Sequence, residues 1–286
     1  SVPTGTGPTA TSVSAFNPVG IALLGSPFTG GGLNIGNNFG TLSPRDIAFD
    51  ANGNAWIANS SYGSVTELNG LTGTAMSPAT TGYPVTSTQT VPSGIAIDTQ
   101  GILWVSGFGG NTLYTMRIGD GSSVGSSANL AGGLAVPYSI AIDAGGEVWL
   151  PNYDSQFGTT VSKFTSVTTG AAFSGGGSLA PDGVAMDGAG NAWVSNQNLK
   201  NASTPAGVTE LNNSGTAQSP AMGFTSSALF NGGDVGVDGS GNVWVANALQ
   251  GSGSDGNNVV EFVGAAVPVV TPLSAAVRTG KLGARP

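Results

Sequence analysis

The residues with the clearest chemical potential lie in the stretch Asp50-Ala-Asn-Gly-Asn54, whose alternating oxygen-bearing side chains are typical of a calcium-binding loop. Such a loop places glycine at its sixth position and a bidentate glutamate at its twelfth. Here Gly53 is fourth and Ser61 is twelfth. A related stretch carries Gln100 and Ile102 where the two asparagines stand, and isoleucine cannot bind a cation. The pattern therefore favours a backbone turn over a calcium site.

Two other motifs resemble catalytic or phosphate-binding sites. The run Gly121–Gly125 fits the G-x-S-x-G pattern of serine hydrolases, but the sequence contains no histidine that could activate the serine. Gly251, Gly253 and Gly256 fit G-x-G-x-x-G, yet the residues that follow predict a strand and not the helix that phosphate binding requires. In a chain this rich in glycine and serine, we interpret both as chance matches.

The aspartate-glycine stretch recurs five times and governs the interpretation of the whole chain. Every tryptophan follows one of the recurring aspartates by six residues, and the aspartates are spaced by 48, 45, 44 and 51 residues. We expect all five tryptophans to be buried between repeats. The aspartates are Asp50, Asp98, Asp143, Asp187 and Asp238, and the tryptophans are Trp56, Trp104, Trp149, Trp193 and Trp244.

Each repeat predicts a small antiparallel sheet. An apolar first strand precedes the aspartate, a second strand carries the tryptophan, a third reads like Val-Thr-Glu-Leu, and a weaker segment follows. Four short strands per repeat of about 45 residues predict an all-β protein, a β-propeller of four-stranded blades. Leftover segments at both ends favour six blades, one of them built from or closed by the chain termini. Five blades are the alternative.

The motif P-x-G-I-A-x-D-x-x-G-N-x-W-V-x-N resembles NHL repeats and the propellers of virginiamycin B lyase and gluconolactonase. The resemblance covers about residues 18–270 and implies the fold, whereas these propellers include both enzymes and binding modules. Virginiamycin B lyase-like enzymes use a histidine beside a magnesium ion, and this chain has no histidine. Gluconolactonase-like enzymes hold a divalent cation with carboxylate and amide oxygens, which this chain does contain.

In propellers of this pattern, the ends of second strands and the starts of first strands meet at one mouth of the central channel. Candidate binding residues there are Arg45, Asp46, Asn59, Tyr138, Asn152, Asp182, Asn196, Asp234 and Asn247. The simpler interpretation is that each asparagine closes a local turn and each aspartate caps a strand. Asp182, Asn196 and Asp234 are weak candidates for holding Ca²⁺ or Mg²⁺; otherwise we expect no cofactor and no catalytic residue.

Composition limits the partners. A net charge of −8 disfavours nucleic acid, and no apolar run is long enough to span a membrane. The absence of cysteine and the low proportion of charged residues, 8%, are compatible with an extracellular bacterial protein, secreted or on the cell surface. We predict a Ser/Thr/Gly/Pro-rich tail over residues 1–15, a propeller over 16–271 and a basic tail over 272–286.

Two functions remain open at this stage. The first is a non-enzymatic extracellular propeller that binds a protein partner or assembles with copies of itself, forming a filament through its termini. The second is a metal-dependent hydrolase or lyase with a cation at the channel mouth. The missing histidine favours the first.

Overall fold

The computed structural model describes residues 12–17, 19–33, 44–60, 63–85, 91–128, 131–153, 158–197, 206–247 and 258–269. Within them the regular elements are short strands and one 3-10 turn, so the all-β prediction is confirmed. No helix in the described residues is long and apolar enough to cross a membrane. Of the predicted tails, residues 1–11 and 272–286 lie outside the described residues.

Sheets 1, 2 and 3 are each antiparallel and four-stranded, with strand order following chain order. Sheet 1 contains β1 (Asp46–Phe49), β2 (Ala55–Asn59), β3 (Ser64–Leu68) and β4 (Tyr83–Pro84). Sheet 2 contains β5 (Pro92–Ile97), β6 (Ile102–Gly107), β7 (Thr112–Arg117) and β8 (Ser123–Ser126). Sheet 3 contains β9 (Ala141–Ile142), β10 (Val148–Pro151), β11 (Thr160–Ser166) and β12 (Thr169–Ser174).

Sheets 4 and 5 differ in strand number. Sheet 4 contains β13 (Pro181–Met186), β14 (Ala192–Asn196), β15 (Gly207–Leu211) and β16 (Phe224–Thr225). Sheet 5 contains only β17 (Gly232–Val237), β18 (Val243–Asn247) and β19 (Asn258–Phe262) in the described residues. The first strands of consecutive sheets contact one another from β1 to β17, so the sheets follow each other around a shared channel. The four-strand prediction therefore holds for four sheets.

The recurring aspartate closes the hairpin between first and second strands, as the first copy illustrates. The Gly53 amide donates to the Asp50 carbonyl at 2.9 Å, and Gly53 adopts a φ of 83°, which glycine adopts without strain. Asp50 Oδ1 accepts the backbone amides of Asn52 and Asn54, both at 2.9 Å. Asp50 Oδ2 accepts the Trp56 indole at 3.4 Å. The carboxylate is therefore committed to a turn, as the sequence predicts.

The tryptophans lie between sheets, and four of them are buried. Trp56, Trp149 and Trp193 are 0% exposed and Trp104 is 8% exposed. Trp56 packs with Ile95 and other apolar side chains of the next sheet, and the same relation recurs around the ring. Trp244, however, is 39% exposed, so the prediction of burial is wrong for sheet 5.

The outer edge of sheet 5 explains this exposure. In sheets 1, 3 and 4 a fourth-strand aromatic lies beside the tryptophan, for example Phe224 at 5.4 Å from Trp193. Sheet 5 has no fourth strand in the described residues. Val259 of β19 is 62% exposed, whereas Val208, at the same register position of sheet 4, is fully buried. Both apolar side chains of sheet 5 therefore lack the cover that their counterparts have.

The N-terminal segment packs against sheet 1. Val13 and Phe28 form an antiparallel bridge, with amide-to-carbonyl distances of 3.1 and 2.8 Å. Their side chains lie on a cluster that includes Ile57 and Leu68. Main-chain pairing thus holds the start of the described chain onto the body.

Candidate functional site

The channel is a cavity of about 870 Å³ lined by the first strands of the five sheets. We call the end where these strands begin the mouth, and the end with the aspartate hairpins the turn end. Five of the predicted binding residues line this cavity and lie around the mouth: Arg45, Asp46, Tyr138, Asp182 and Asp234. Each lies one or two residues after the proline or glycine that leads into its first strand (Pro44, Pro137, Pro181 or Gly232). This places its side chain near the mouth.

The three mouth aspartates are held by different partners. Asp46 Oδ2 accepts the Ile95 amide of the next sheet at 2.9 Å, and Asp182 Oδ2 accepts the Gln197 amide group at 2.8 Å. Asp234 accepts only its neighbouring backbone amide, that of Val235, among the described contacts. Its carboxylate is accessible from the channel.

Partial desolvation by the surrounding channel wall raises the pKa of all three carboxyls, including that of Asp234, which solvent still reaches. The pKa of Asp46 rises to about 6, and its neighbour Asp234 adds to the effect. The pKa of Asp182 is raised by burial and by the charge of Asp234, against the lowering effects of Gln197 and Arg45. Burial also raises the pKa of Asp234. Like charges gathered in a partly desolvated rim favour the protonated form or the arrival of a cation.

Aromatic side chains form one wall of the mouth. The Arg45 guanidinium carbon lies 4.2 Å from the centre of the Tyr138 ring, a cation–π contact. Tyr138 packs edge-on against Phe108 at 4.8 Å and against Tyr153 at 5.0 Å. Tyr153 donates its hydroxyl to Gln197 at 3.2 Å, which connects the aromatic wall to Asp182.

The four predicted asparagines do not line the cavity. Each is buried and joins its second strand to neighbouring strands or to the segment that leads into its own sheet. Asn152 accepts the Ala135 amide at 3.0 Å and donates to Ser162 at 2.9 Å. Asn196 and Asn247 repeat this arrangement, and Asn59 donates to hydroxyls of β3. These contacts match the simpler interpretation, in which each asparagine closes local structure.

Sequence reasoning missed the residues directly after these positions. Phe108, Tyr153 and Gln197 each follow the last residue of a second strand or the asparagine there, and each contacts a residue of the mouth. The signal that could have found them is their variability at a fixed repeat position. Scaffold positions keep one residue type, whereas residues that face a site differ from repeat to repeat.

The candidate metal ligands do not converge in this arrangement. Asn196 Oδ1 accepts the Leu179 amide and its Nδ2 donates to Thr209, so its side chain is committed within sheet 4. No group of three acidic side chains in the described ranges is close enough to hold a metal ion. The residues present do not fit a coordinated cation as they stand, and no chemical step is derived through one.

The mouth brings carboxyl groups with raised pKa values together with aromatic side chains. A carboxyl with a pKa near 6 can donate a proton, but general acid catalysis needs an activated nucleophile or base beside it. The side chains that line the cavity near the mouth carboxyls include Arg45, Tyr138, Ser93 and Ser139.

Comparison with known proteins supports the fold. No protein-family model matches the chain, and no curated protein matches it. Among solved structures, the chain is similar to a catalytically inactive virginiamycin B lyase from Staphylococcus aureus with quinupristin. The identity is 14%, the TM-score is 0.61, and the match covers 88% of this chain and 77% of that one.

Two further structures show how varied the similar proteins are. A gluconolactonase from Xanthomonas campestris matches at 15% identity and a TM-score of 0.52, over 77% of this chain and 76% of that one. Kuenenia stuttgartiensis hydrazine synthase matches at 15% identity and a TM-score of 0.59, over 73% of this chain. The chain spans 58% of the hydrazine synthase chain. The predicted resemblance to virginiamycin B lyase is thus confirmed at the level of fold.

Proposed function

We propose that the protein is a non-enzymatic β-propeller that binds a protein partner, in the first place other copies of itself, through its terminal segments. One observation carries this proposal: among the described residues no strand pairs with the outer edge of β19 in sheet 5, and the tryptophan beside it is 39% exposed. An exposed edge with apolar side chains is a surface on which another chain can add a strand. Assembly through such edges joins successive copies into a filament.

Charge supports association between copies. Three of the seven basic residues, Arg278, Lys281 and Arg285, lie in the final nine residues, while the net charge is −8. A basic segment on an acidic body makes a heterologous contact favourable, and heterologous contacts that do not close generate open chains. An extracellular bacterial location, secreted or on the cell surface, belongs to this proposal and is supported by composition: the chain has no cysteine and few charges.

The test is the size of the particle in solution. Light scattering coupled to gel filtration should show concentration-dependent assemblies of the full chain. Deletion of residues 272–286 should convert them to monomers with an unchanged circular dichroism spectrum. A matched deletion of residues 1–11, which leaves Val13 and its bridge to Phe28 in place, reports whether the N-terminal tail contributes. A monomer at every concentration, before and after truncation, would overturn the proposal.

The raised pKa values of the mouth aspartates favour a second candidate, a hydrolase or lyase acting at the mouth with a divalent cation. Similar folds include a lyase and a gluconolactonase. Isothermal titration with Ca²⁺ and with Mg²⁺ tests the cation site that this candidate requires: binding by the intact protein that Asp182→Asn together with Asp234→Asn abolishes would support it. The absence of binding would leave the non-enzymatic proposal.

A further inference from the structure

The N-terminal segment occupies the positions of third and fourth strands in a sixth sheet. The bridge between Val13 and Phe28 corresponds to the pair Val161 and Phe173 in sheet 3. In both cases the pair packs on the following sheet. Val161 and Phe173 lie on a cluster formed by Ala192, Val194, Leu211 and Ala217 of sheet 4, and Val13 and Phe28 lie on Ala55, Ile57, Leu68 and Ala75 of sheet 1.

A second correspondence concerns the backbone that leads away from this pair. The Gly31 carbonyl accepts the hydroxyls of Thr66 and Ser77, at 2.5 and 2.9 Å. In sheet 4 the Gly176 carbonyl accepts two hydroxyls in the same way, from Thr209 and Ser219, at 2.9 and 3.0 Å. The N-terminal segment therefore repeats the outer half of a sheet in detail, including its exit toward the next sheet.

The described residues contain no first or second strand for this sixth sheet. We call the resulting gap between sheet 5 and sheet 1 the slot, and both of its walls carry exposed apolar side chains. On sheet 1, Ile47 and Phe49 are 41% and 49% exposed. Their counterparts Val184 and Met186 are 5% and 7% exposed, because they pack on the tryptophan of the preceding sheet. On sheet 5, Trp244 faces the same slot, since each tryptophan packs on the first strand of the sheet that follows.

The sequence contains a segment with the pattern of the missing first strand. Residues 272–277 read Pro-Leu-Ser-Ala-Ala-Val, beside Pro-Tyr-Ser-Ile-Ala-Ile at 137–142 and Pro-Ser-Gly-Ile-Ala-Ile at 92–97. The proline, the small residue two positions later and the central alanine all coincide. Arg278 then stands where the other repeats have the turn aspartate.

The described chain ends in the wrong place to fill its own slot with this strand. The Val267 and Val269 amides donate to Asp187 and to the carbonyl of Asp238, at 3.3 and 3.4 Å, so the chain stops at the turn end. First strands begin at the mouth, six residues or about 20 Å away along β17. The three residues from Val269 to Pro272 span at most about 11 Å.

We propose that the C-terminal segment of one copy, residues 272–286, inserts into the slot of a second copy, with residues 272–277 as the first strand of its sixth sheet. Copies stacked with the turn end of one on the mouth of the next bring Pro272 to that mouth, and the strand then runs in the direction that its motif requires. This inference rests on the proposed self-assembly and names its acceptor and donor. Each copy gives one strand and receives one, so the contact propagates along the channel axis.

The charge of the donated strand agrees with this placement. Arg278 would arrive at the turn end of the acceptor, near the partly exposed hairpin carboxylate of Asp238. At the mouth, Ser274 would lie between Asp46 and Asp234. This alignment of Ser274 with Asp46 and Asp234 follows the alignment of β13 with β17. Gly183 and Asp234 each lie two residues after the first residue of their strand, and a Cβ added to Gly183 would lie 2.8 Å from the Asp234 backbone.

The absence of cysteine from the chain allows a direct test by disulfide trapping. A disulfide needs Cα atoms about 4.4–6.8 Å apart, so only residues on neighbouring strands can form one. The double variant Asp234→Cys with Ser274→Cys should give a ladder of covalent multimers on a non-reducing gel. The matched control, Ser139→Cys with Ser274→Cys, places the acceptor cysteine across the channel in sheet 3 and should give at least about 10-fold less product.

Mixing single variants separates the alternatives. Asp234→Cys mixed with Ser274→Cys should yield a covalent dimer and no larger species. A double variant that instead stays a monomer without free thiols would mean that the tail folds into its own slot, which overturns the inference. Light scattering on the same samples distinguishes the proposed self-assembly from the proposed strand insertion. Assemblies that form without cross-links would refute the insertion of residues 272–277 alone. A monomer without cross-links would refute the self-assembly as well.

Discussion

A single carboxylate in each repeat connects the turn, the sheet and the inter-sheet core. The aspartate accepts two backbone amides of the hairpin through one oxygen and the indole of the tryptophan through the other, in all five copies. The six-residue spacing is therefore a contact distance and not only a repeat marker. In Asp238 these donors, the Trp244 indole first, lower the pKa to about 2. A neutral or shorter side chain would leave buried donors unpaired.

Replacement of Trp149 by alanine should lower the free energy of unfolding by about 3–5 kcal/mol, because the ring is fully buried and leaves a cavity between sheets. Trp244→Ala is the matched control: it breaks the same kind of indole-to-aspartate bond, but the ring is 39% exposed, so about 1–2 kcal/mol is expected. Urea denaturation of both variants gives the comparison. Equal losses, or a loss under about 1 kcal/mol for Trp149, would contradict the inter-sheet role.

Stability should fall between pH 4 and pH 7 because of Asp46. Burial raises its pKa from 3.8 to about 6 in the folded protein, so the folded state binds a proton more tightly than the unfolded state does. The stabilising effect is complete below pH 4 and is lost as pH rises through 6, by about 2 kcal/mol after allowance for partial solvation. Asp182 and Asp234 act in the same direction.

Chemical denaturation across this pH range checks the prediction, with Asp46→Asn as the comparison. The asparagine cannot ionise, so its stability profile should be flatter by that amount. Carboxyl NMR shifts of Asp46 with a midpoint near pH 4 would show instead that the mouth leaves this group fully solvated.

At the scale of the strands, the sequence predicted the elements well because the same strand pattern occurs in five repeats, so each strand could be identified five times. The hairpin turn could be predicted from Asp50 and Gly53 alone. Both recur because the aspartate accepts backbone amides and the glycine adopts a positive φ. The mouth was only half recoverable. Asp46, Asp182 and Asp234 were found from their place at the strand start. Phe108 and Tyr153 were missed because the residue type at this position varies between repeats.

The hairpin turn predicts a specific response to mutation. Gly53→Ala should destabilise the protein by about 1 kcal/mol, because Gly53 has a φ of 83° while a Cβ there would meet no atom within 4 Å. The cost is thus purely conformational. Gly236→Ala is the control: its Cβ would also meet nothing within 4 Å, and Gly236 is not among the glycines with positive φ. Thermal melting with and without a chelator completes the test, and a fall in melting temperature on chelation would restore the calcium interpretation of the loop.

At the scale of the whole molecule, the five repeats were predictable from their spacing, whereas the sixth blade built from or closed by the termini stays a prediction. Repeat counting sees five complete units, and the leftover segments have no tryptophan that would mark a sixth. The structure places Val13 and Phe28 against sheet 1 and leaves Trp244 39% exposed. In the proposed assembly the inner strand comes from another copy, and contacts between copies are not encoded in the period of one chain.

Association between copies should weaken with salt. Arg278, Lys281 and Arg285 approach an acidic partner in the proposed contact, and the Debye length falls from about 10 Å at 0.1 M salt to about 3 Å at 1 M. Sedimentation velocity should therefore show an apparent Kd at least about 10-fold higher at 1 M than at 0.1 M salt. Changing all three basic residues to glutamine should abolish most of this dependence.

The matched control for this last prediction is Arg117→Gln, which removes an exposed basic residue at the end of β7, outside residues 272–286. It should leave the salt dependence unchanged, because Arg117 does not belong to the donated segment. Association that tightens with salt would contradict the prediction. Sulfate strengthens apolar contacts, because it is excluded from the protein surface. If high sulfate tightened association and the triple variant behaved like the wild type, burial of Ile47, Phe49 and Trp244 would drive assembly, and the basic tail would have no part in it.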